Sequence, residues 1–443
     1  MRAVLTSVTF GILLALPASR SEGQPLLTVD EAVEVALVGN PEVRAVRTEV
    51  AIARANNTAG NAGRLPALSL TGSAEQGRTW TGQELASGEE RHPDNGRESS
   101  LTGGVALDWT LYDGGGMSAA RRRLAQLEAQ GGARLRDQAL QTVYAVVAAY
   151  YDVVRARQQL ASVEEVVALN RERVRILATG VTAGQTQRAN LLQARIDLNV
   201  YEGELVSQEA AVASRHRSLN LLLGRDPDLP FAVADSIPLP AALPDTTRLY
   251  ERDPALESWR RQLAATQAAW REARALRLPR LSFGADYTWQ HSGSTAGQVR
   301  RSTSSDVQAG LSLAVPLYAG GNLTRQDRVA GLQVESVQLA LEAAERLARL
   351  QATEAIAQFE ARRRMLELEE ASAGLARENL EIARQRLRSG QGTSLEFREA
   401  QETWVAAATR RINLRYDLVL VELRLRQLVG ELGPRTDLRV PAR

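Results

Sequence analysis

The stretch Leu111-Tyr112-Asp113-Gly114-Gly115 returns later in the chain as Leu317-Tyr318-Ala319-Gly320-Gly321, and this repeat is the starting point for predicting the fold. The two stretches lie 206 residues apart (321 − 115 = 206). A second pair keeps this spacing, since residues 184–194 (GQTQRANLLQA) match residues 390–400 (GQGTSLEFREA) in their first two residues and their last (390 − 184 = 206). Two separate motifs in one register indicate that the chain is an internal duplication.

Upstream of these motifs the spacing between the copies changes. Leu65-Pro66 corresponds to Leu278-Pro279 at an offset of 213 residues (278 − 65 = 213), so the second copy lacks 7 residues in between (213 − 206 = 7). The intervening stretches, residues 81–100 and 291–305, are rich in Gly, Ser and charged residues and are predicted to be loops. Variation in length is typical of such surface segments.

Apolar and polar residues alternate on both sides of each predicted loop. The clearest case is the apolar series Leu281, Phe283, Ala285, Tyr287 and Trp289, which is separated by Ser, Gly, Asp and Thr. A period of two indicates a strand with one apolar and one polar side. The sequence therefore predicts one β-hairpin in each copy, at about residues 65–113 and 278–318.

Two very long helices are predicted from the scarcity of helix breakers. Residues 116–179 and 322–389 contain no proline and few glycines. At 1.5 Å per residue, such a helix is roughly 100 Å long. Short glycine-containing turns then reverse the chain, which predicts long helical hairpins at residues 116–223 and 322–429. Shorter helices are expected at residues 29–38, 42–59 and 254–276.

The predicted fold class is therefore mainly α with a small β part, in an internally duplicated chain. An apolar run from Ala3 to Leu16 is typical of a secretory signal peptide, which we place at residues 1–22. The remaining divisions are a first structural repeat at residues 23–226, a Pro-rich linker at 227–253, a second repeat at 254–430 and a C-terminal tail at 431–443.

Composition argues against several classes of function. The 54 basic and 52 acidic residues are interspersed and leave a net charge of +2, so nucleic acid is not an expected partner. The absence of cysteine excludes disulfides, thiolate metal sites and a lipid-bearing N-terminal cysteine. The three histidines are scattered and no catalytic spacing is present, so we expect no metal, no cofactor and no enzyme activity.

Two hairpins supply four strands, which are too few to close a membrane barrel, since the smallest barrels need about eight. An open sheet would leave an apolar face and two unpaired edges exposed. Oligomerisation removes both problems. Three copies would supply twelve strands, with the polar sides toward a water-filled lumen and the apolar sides toward lipid.

The duplicated plan, the strand exits at residues 111–115 and 317–321 and the hairpin tips at 184–194 and 390–400 resemble the TolC-like outer membrane efflux proteins. The resemblance implies a homotrimer with a twelve-stranded β-barrel in the outer membrane and a long α-helical barrel in the periplasm. It also implies a passive exit channel for tripartite efflux or type I secretion. The implied partners are a periplasmic adaptor (a membrane fusion protein) and an inner-membrane pump of the RND, ABC or MFS type.

Glycines mark two kinds of candidate site. The resemblance places the hairpin tips, with Gly184, Gly390 and Gly392, at the periplasmic entrance where the adaptor docks. At the strand exits, glycine permits the backbone to bend from a strand into a helix, whereas the lysine of a phosphate-binding loop is missing. We therefore predict strand-to-helix bends at Gly114, Gly115, Gly320 and Gly321.

Two acidic residues in the second tip form a candidate selectivity ring. Glu396 and Glu399 match positions where TolC carries aspartates that ring its entrance, and their i, i+3 spacing places both on one helix face. A trimer would gather six carboxylates there, which favours cations. The alternative is an ordinary solvated helix face. In the first copy the matching residues, Asn190 and Gln193, are uncharged.

The sequence departs from TolC at Leu387 and Gly392, where TolC carries a tyrosine and an arginine that latch its closed state. A different means of closing the entrance is therefore expected. An alternative for the whole chain is a soluble periplasmic coiled-coil scaffold, in which the alternating segments form a small capping sheet. Only a channel would fractionate with the outer membrane.

Overall fold

A computed structural model describes residues 26–80, 83–84, 86–88, 90–91, 96–240, 253–295, 299–430 and 432. The expected signal peptide lies outside the described residues, as do residues 241–252 of the linker and all of the tail except Leu432.

Seven helices account for most of the described residues, and two of them are 67 residues long. Their bounds are α1 Val29–Gly39, α2 Pro41–Asn56, α3 Gly116–Thr182, α4 Arg188–Leu223, α5 Pro254–Ala275, α6 Asn322–Arg388 and α7 Ser394–Val429. The bounds of α6 and α7 are those of α3 and α4 displaced by 206 residues (322 − 116 and 394 − 188). The repeat offset read from short motifs therefore holds for whole helices. None of the helices in the described part of the chain is long and apolar enough to cross a membrane.

The shorter helices begin at residues whose side chains cap them. Thr28 and Glu31 form a reciprocal capping box at the start of α1, and Asp253 accepts a hydrogen bond from the Ala255 amide at the start of α5. Helix α2 ends at Asn56, three residues earlier than expected. The amide of Asn57 bonds the carbonyls of Ala53 and Arg54, which closes the last turn.

The four long strands form one antiparallel sheet in the order β1-β4-β5-β6. Their bounds are β1 Ala67–Thr79, β4 Gly96–Tyr112, β5 Arg280–Ser294 and β6 Arg301–Ala314, and a short ribbon of β2 Gln83–Glu84 and β3 Glu90–Arg91 precedes β4. The strands continue into the stretches predicted to be loops, so that Glu98 lies opposite Ser294. Polar composition suggested loops there, but backbone pairing with a neighbouring strand holds polar residues in extended structure.

The register sorts the side chains of the sheet into two faces. Val105 lies opposite both Leu70 and Tyr287, and Tyr287 lies opposite Val307, so one face is apolar. One residue further along, Ala106 lies opposite Asp286, which lies opposite Gln308 on a polar face. Among the described residues nothing covers the apolar face, since Leu70 is 83% exposed and Val307 is 75% exposed.

The largest apolar core joins the two repeats where the middle of α3 meets the C-terminal ends of α4 and α7. It combines side chains from α1, α3, α4 and α7 with residues 231–237 of the segment that follows α4. The buried Tyr150 hydroxyl donates to the Leu27 carbonyl at 2.8 Å and accepts from the Ala234 amide at 3.0 Å. This tyrosine therefore ties the start of the first repeat and the segment that follows the repeat to its long helix.

Candidate functional site: the helical hairpin tips

Each helical hairpin reverses at a glycine in the left-handed conformation. Gly184 (φ +70°) lies between α3 and α4, and Gly390 (φ +73°) lies between α6 and α7. In the second tip the Gly390 amide bonds the Leu387 carbonyl at 3.2 Å and the Gln391 amide bonds the Arg386 carbonyl at 2.9 Å. These bonds satisfy the last carbonyls of α6, as a helix C-terminus requires.

Gly392 is needed for a different reason, because the chain passes close to the end of α6. A Cβ atom at this position would lie 2.9 Å from the Cβ of Arg386 and 3.2 Å from the Leu387 nitrogen. The turn therefore has no room for the arginine that TolC carries here. Leu387 is buried in an apolar cluster with Phe397 and Trp404, so it supports the tip by packing.

Glu396 has a structural role that the sequence analysis missed. Its carboxylate accepts the Thr393 amide at 3.4 Å, while the Thr393 hydroxyl accepts the Glu396 amide at 3.1 Å, which makes a reciprocal capping box at the start of α7. The signal was present as Thr followed three residues later by Glu. Arg386 also approaches Glu396 at 3.7 Å. Glu399 is exposed, and its carboxylate has no ion-pair partner among the described residues.

A buried arginine joins three helices next to the tips. Arg173 of α3 pairs with Asp197 of α4 at 2.8 Å, and its guanidinium also donates to the Ser394 hydroxyl of α7 at 2.8 Å. The Arg173 side chain is only 3% exposed. This contact fixes the two tips of one protomer relative to each other.

A second ionic cluster links the long helices of the two repeats. Glu172 of α3 receives Arg384 of α6 at 2.7 Å and also pairs with Arg388. Burial alone would raise the pKa of Glu172, but hydrogen bonds and positive charge from both arginines outweigh it, so the pKa lies below its usual range. Arg386 donates to the carbonyl of Gln391 in the turn between α6 and α7.

The strand-to-helix bends contain four glycines with positive φ. Gly114 (+72°) and Gly115 (+91°) precede α3, and Gly320 (+60°) and Gly321 (+75°) precede α6. The two bends are capped differently, because the Asp113 carboxylate accepts the Met117 amide at 2.6 Å, whereas the second copy has an alanine in that place. Within the described part of the chain, no group of His, Asp or Glu side chains could hold a metal ion.

Comparison with known proteins gives one family for both repeats. The family model described as "Outer membrane efflux protein" matches residues 32–225 and 247–431, which is one match for each copy of the duplication. The chain is 28% identical to protein CyaE of Bordetella pertussis over 95% of this chain and 87% of that protein. It is 23% identical to the alkaline protease secretion protein AprF of Pseudomonas aeruginosa, over 98% of this chain and 89% of AprF.

A solved structure shows the same fold. The Campylobacter jejuni CmeC outer membrane channel superposes with a TM-score of 0.75 at 18% identity, covering 92% of this chain and 87% of CmeC. The matched family consists of channels, which favours neither an enzyme nor a soluble scaffold. Because the family model covers most of the chain, this protein belongs to the outer membrane efflux protein family and is a channel of the outer membrane with its helices in the periplasm.

Proposed function

We propose that three copies of this chain assemble into the exit duct of a tripartite efflux or type I secretion system, with a twelve-stranded barrel above a helical tunnel. The observation that carries the proposal is the single sheet of four strands with two open edges, β1 and β6. Every described side chain from Ala67 to Arg78 and from Arg301 to Ala314 is exposed. Pairing β6 of one copy with β1 of the next removes both edges, which open sheets otherwise have to protect.

The two faces of the sheet support the same assembly. The apolar face would meet the lipid of the outer membrane, and the polar face would line a water-filled lumen. In the periplasm, the partner would be an adaptor docked on the tips at Gly184 and Gly390, beneath which an RND, ABC or MFS-type pump supplies the energy. AprF is named for the secretion of a protease, and the family is named for efflux, so the proposal includes both kinds of cargo.

At the entrance, Glu396 and Glu399 would form the acidic ring of the trimer. Glu399 supports this role because it is exposed and has no cationic partner among the described residues. Glu396 has a double role, since its carboxylate also caps α7 and lies near Arg386. The charge of Glu396 is therefore partly offset, and Glu399 would contribute the larger share of the cation preference.

Single-channel recording of the mature protein in a planar bilayer tests the ring. The variant combines Glu396→Gln with Glu399→Gln, which removes both charges but keeps the cap, because glutamine also serves at the third position of a capping box. We expect discrete steps whose preference for cations falls in the variant. The control Thr393→Ala breaks the cap and leaves the charges, so its selectivity should match the unaltered chain.

Other outcomes would contradict parts of the proposal. Unchanged selectivity in the double variant would mean that the two carboxylates are an ordinary solvated helix face. Loss of selectivity in Thr393→Ala alone would assign the effect to the shape of the tip. Failure of the unaltered chain to form conducting steps, together with a mass in detergent that is not that of a trimer, would overturn the trimeric duct.

A further inference from the structure

Positive charge is concentrated at the boundary between the sheet and the long helices. Four stretches meet there, residues 57–66 and 113–123 of the first repeat and their equivalents 270–279 and 319–329 of the second. Together they contain nine arginines and three acidic residues, a net charge of +6 (9 − 3), whereas the whole chain carries +2. The rest of the chain therefore carries −4 (2 − 6). The fold gathers into one band charges that are interspersed along the sequence.

Two arginines of this band are repeated at the offsets of the duplication. Arg64 returns as Arg277 (64 + 213), and Arg122 returns as Arg328 (122 + 206). The other five arginines have no arginine at the equivalent position. One helical turn before the second arginine, the first copy has a serine and the second copy a threonine, so a hydroxyl is retained as well. We name Arg64 and Arg122 the first pair, and Arg277 and Arg328 the second pair.

The first pair lies on one exposed surface together with the retained hydroxyl. The Arg64 guanidinium donates to the Ser118 hydroxyl at 2.9 Å. Arg122 follows Ser118 by four residues in α3, so the two side chains share a helix face with Cβ atoms about 5 to 6 Å apart. Both arginines are exposed, and neither has an acidic partner in the part of the chain that the structure describes. Two unneutralised guanidinium groups therefore lie on either side of one hydroxyl.

The surface on which the first pair lies continues the apolar face of the sheet. The Trp109 indole donates to the Arg64 carbonyl at 3.1 Å. Trp109 lies opposite Phe283 and Tyr112 lies opposite Leu281, so both aromatic side chains end the apolar face. Tryptophan and tyrosine are enriched at the level of lipid headgroups. Since the apolar face would meet lipid, the first pair lies on the membrane side of the wall.

The depth of the first pair matches a headgroup layer. Helix α3 begins at Gly116, and Arg122 is six residues further, which is about 9 Å along the helix. The headgroup layer of one leaflet is roughly 5 to 8 Å thick. An arginine side chain extends toward such an interface and keeps its charge in the polar layer. Both guanidinium groups are therefore within reach of lipid phosphates.

Assembly into a trimer should leave the first pair accessible. At the junction between the two repeats, Leu278 packs closely against Gly114, yet the side chain of the adjacent Arg277 is 41% exposed. In the proposed trimer Arg64 has the equivalent place beside a neighbouring copy. We therefore expect Arg64 to stay exposed there as Arg277 does.

The two pairs differ in how far their charge is neutralised. Arg277 of the second pair forms an ion pair with Asp327 at 3.4 Å. In the first copy the place of Asp327 is taken by Arg121 (327 − 206), which donates to the side-chain oxygen of Asn57. The first pair thus has a third positive charge nearby where the second pair has a negative one. An anion should bind the first pair more tightly.

We propose that the first pair binds the phosphate group of an anionic phospholipid in the periplasmic leaflet of the outer membrane. A guanidinium group offers paired N–H donors that fit phosphate oxygens, and the Ser118 hydroxyl can add a further donor. The acyl chains would lie on the apolar face beside Trp109. This inference rests on the proposed function, because it needs that face in lipid, and it adds three lipid sites to the trimer.

Native mass spectrometry of the detergent-purified protein tests the site, because one spectrum reports the mass of the assembly and the lipids bound to it. The anionic probe is phosphatidylglycerol. The second probe is phosphatidylcholine with the same acyl chains, whose phosphate is balanced by its own choline. We expect the trimer to bind three molecules of phosphatidylglycerol more tightly than phosphatidylcholine.

The test variant combines Arg64→Gln with Arg122→Gln. One arginine at an anionic lipid surface strengthens binding roughly 5-fold, so the affinity for phosphatidylglycerol should fall about 25-fold. The affinity for phosphatidylcholine should not change. The control combines Arg188→Gln with Arg195→Gln, which removes the same charge from exposed positions of α4 near the tip. These positions lie toward the other end of a hairpin roughly 100 Å long, so the control should bind both lipids as the unaltered protein does.

Two further variants separate the site from the fold and from general charge. Arg122 has no bonding partner in the described part of the chain, so Arg122→Gln should keep the assembly intact and weaken phosphatidylglycerol binding roughly 5-fold. Arg277→Gln with Arg328→Gln removes as much charge as the first double variant. Its effect should be smaller, because Asp327 already offsets one of these arginines.

Inorganic phosphate distinguishes a lipid headgroup from a free anion. Excess inorganic phosphate should not displace phosphatidylglycerol, since it lacks the acyl chains that contact the apolar face. Displacement by inorganic phosphate would assign the site to a free phosphate and overturn the lipid proposal.

Other results would also overturn the inference. Equal affinities of the unaltered protein for the two lipids, or unchanged phosphatidylglycerol binding in the first double variant, would remove the site. Loss of the trimer in that variant, with the unaltered protein trimeric, would show that the first pair joins copies of the chain. An unaltered protein that is not trimeric would instead remove the proposed function on which the site depends.

Discussion

Arg173 shows how much a single buried residue contributes at the tips. Replacing Arg173 with methionine keeps much of the side-chain volume but leaves Asp197, 15% exposed, without its cation. Breaking a mostly buried ion pair from one side costs about 3 to 5 kcal/mol. We expect the free energy of local opening at the start of α4 to fall by about 3 kcal/mol, as measured by amide hydrogen exchange.

A neighbour in the same helix serves as the control for that measurement. Arg171 also pairs with α4, through Glu202 at 2.8 Å, but its side chain is 62% exposed. An exposed pair contributes at most about 1 kcal/mol, so Arg171→Met should change the exchange little. Equal effects of the two substitutions would show that burial does not set the strength of the Arg173 contact.

Asp137 of α3 gives the protein a pH dependence of defined sign. Burial raises the pKa of Asp137, the nearby Asp253 raises it further, and Gln141 and Arg424 oppose the shift. A carboxyl group whose pKa is raised by folding stabilises the fold while protonated, and this contribution is lost as the pH rises through the folded pKa. Asp137→Asn should therefore raise the thermal unfolding midpoint at about pH 7 and change it little at about pH 3.

The control for this substitution lies on the surface. Asp235 is 94% exposed in its side chain, so Asp235→Asn should leave the difference between the two pH values unchanged. If Asp137→Asn lowered the midpoint at neutral pH, the charged carboxylate would be stabilising in the fold, opposite to the direction that its burial and its neighbour Asp253 impose.

At the scale of elements, the bend between β4 and α3 depends on glycine for two reasons. Gly114 combines a positive φ with a Cβ position 2.4 Å from Leu278, whereas Gly115 has a positive φ and open space around it. An L-residue in the left-handed conformation costs roughly 1 to 2 kcal/mol. Gly115→Ala should lose about that much stability, and Gly114→Ala should lose several kcal/mol more because the segment between α5 and β5 that contains Leu278 must move.

Denaturant unfolding of the two purified variants checks this order. The comparison isolates the contact, since the residues are adjacent and both have left-handed backbone conformations. Equal losses would mean that strain in φ dominates the bend and that the approach of Leu278 adds nothing.

For the whole molecule, the polar face of the sheet carries an unbalanced negative charge. Three aspartates form a diagonal row across three strands. Asp108 of β4 lies opposite Gly284 of β5, and Asp286 follows two residues further along β5. Asp306 of β6 lies opposite Thr288, which is two residues beyond Asp286. Strands lie about 4.8 Å apart and rise about 3.3 Å per residue, so successive carboxylates are roughly 8 Å apart. That is about one Debye length at physiological ionic strength.

In the proposed trimer this row would give the lumen of the barrel a cation preference separate from that of the hairpin tips. Combining Asp108→Asn, Asp286→Asn and Asp306→Asn should move the cation-to-anion permeability ratio toward one in reversal-potential measurements. Adding neutral amides to the same face by Ser69→Asn, Thr102→Asn and Ser304→Asn should not change it. If the two triple variants gave equal ratios, ion selection would lie outside the sheet.

The duplication, the mainly helical class, the two hairpins of each kind and the glycine positions of the tips could all be predicted from the sequence alone. These features depend on alternation with a period of two, on the scarcity of helix-breaking residues and on repeated motifs. The first two are visible in neighbouring residues, and the third appears when the two copies are aligned residue by residue. Even the offset of 206 residues is retained in the bounds of α6 and α7. The polar ends of the strands were misjudged as loops, because their extension depends on a paired neighbour.

Which side chains meet at the tips could not be predicted from the sequence, because it depends on how the helices pack. Arg173 bonds Ser394 across 221 residues and Arg384 bonds Glu172 across 212, and no local pattern states how the long helices are rotated against one another. That rotation made Arg173 a buried tie between three helices and left Glu399 exposed. It also left Leu375 exposed, where its equivalent Leu169 is buried. The physical reason is that a helix presents every direction around its axis, and only packing selects the direction that becomes an interface.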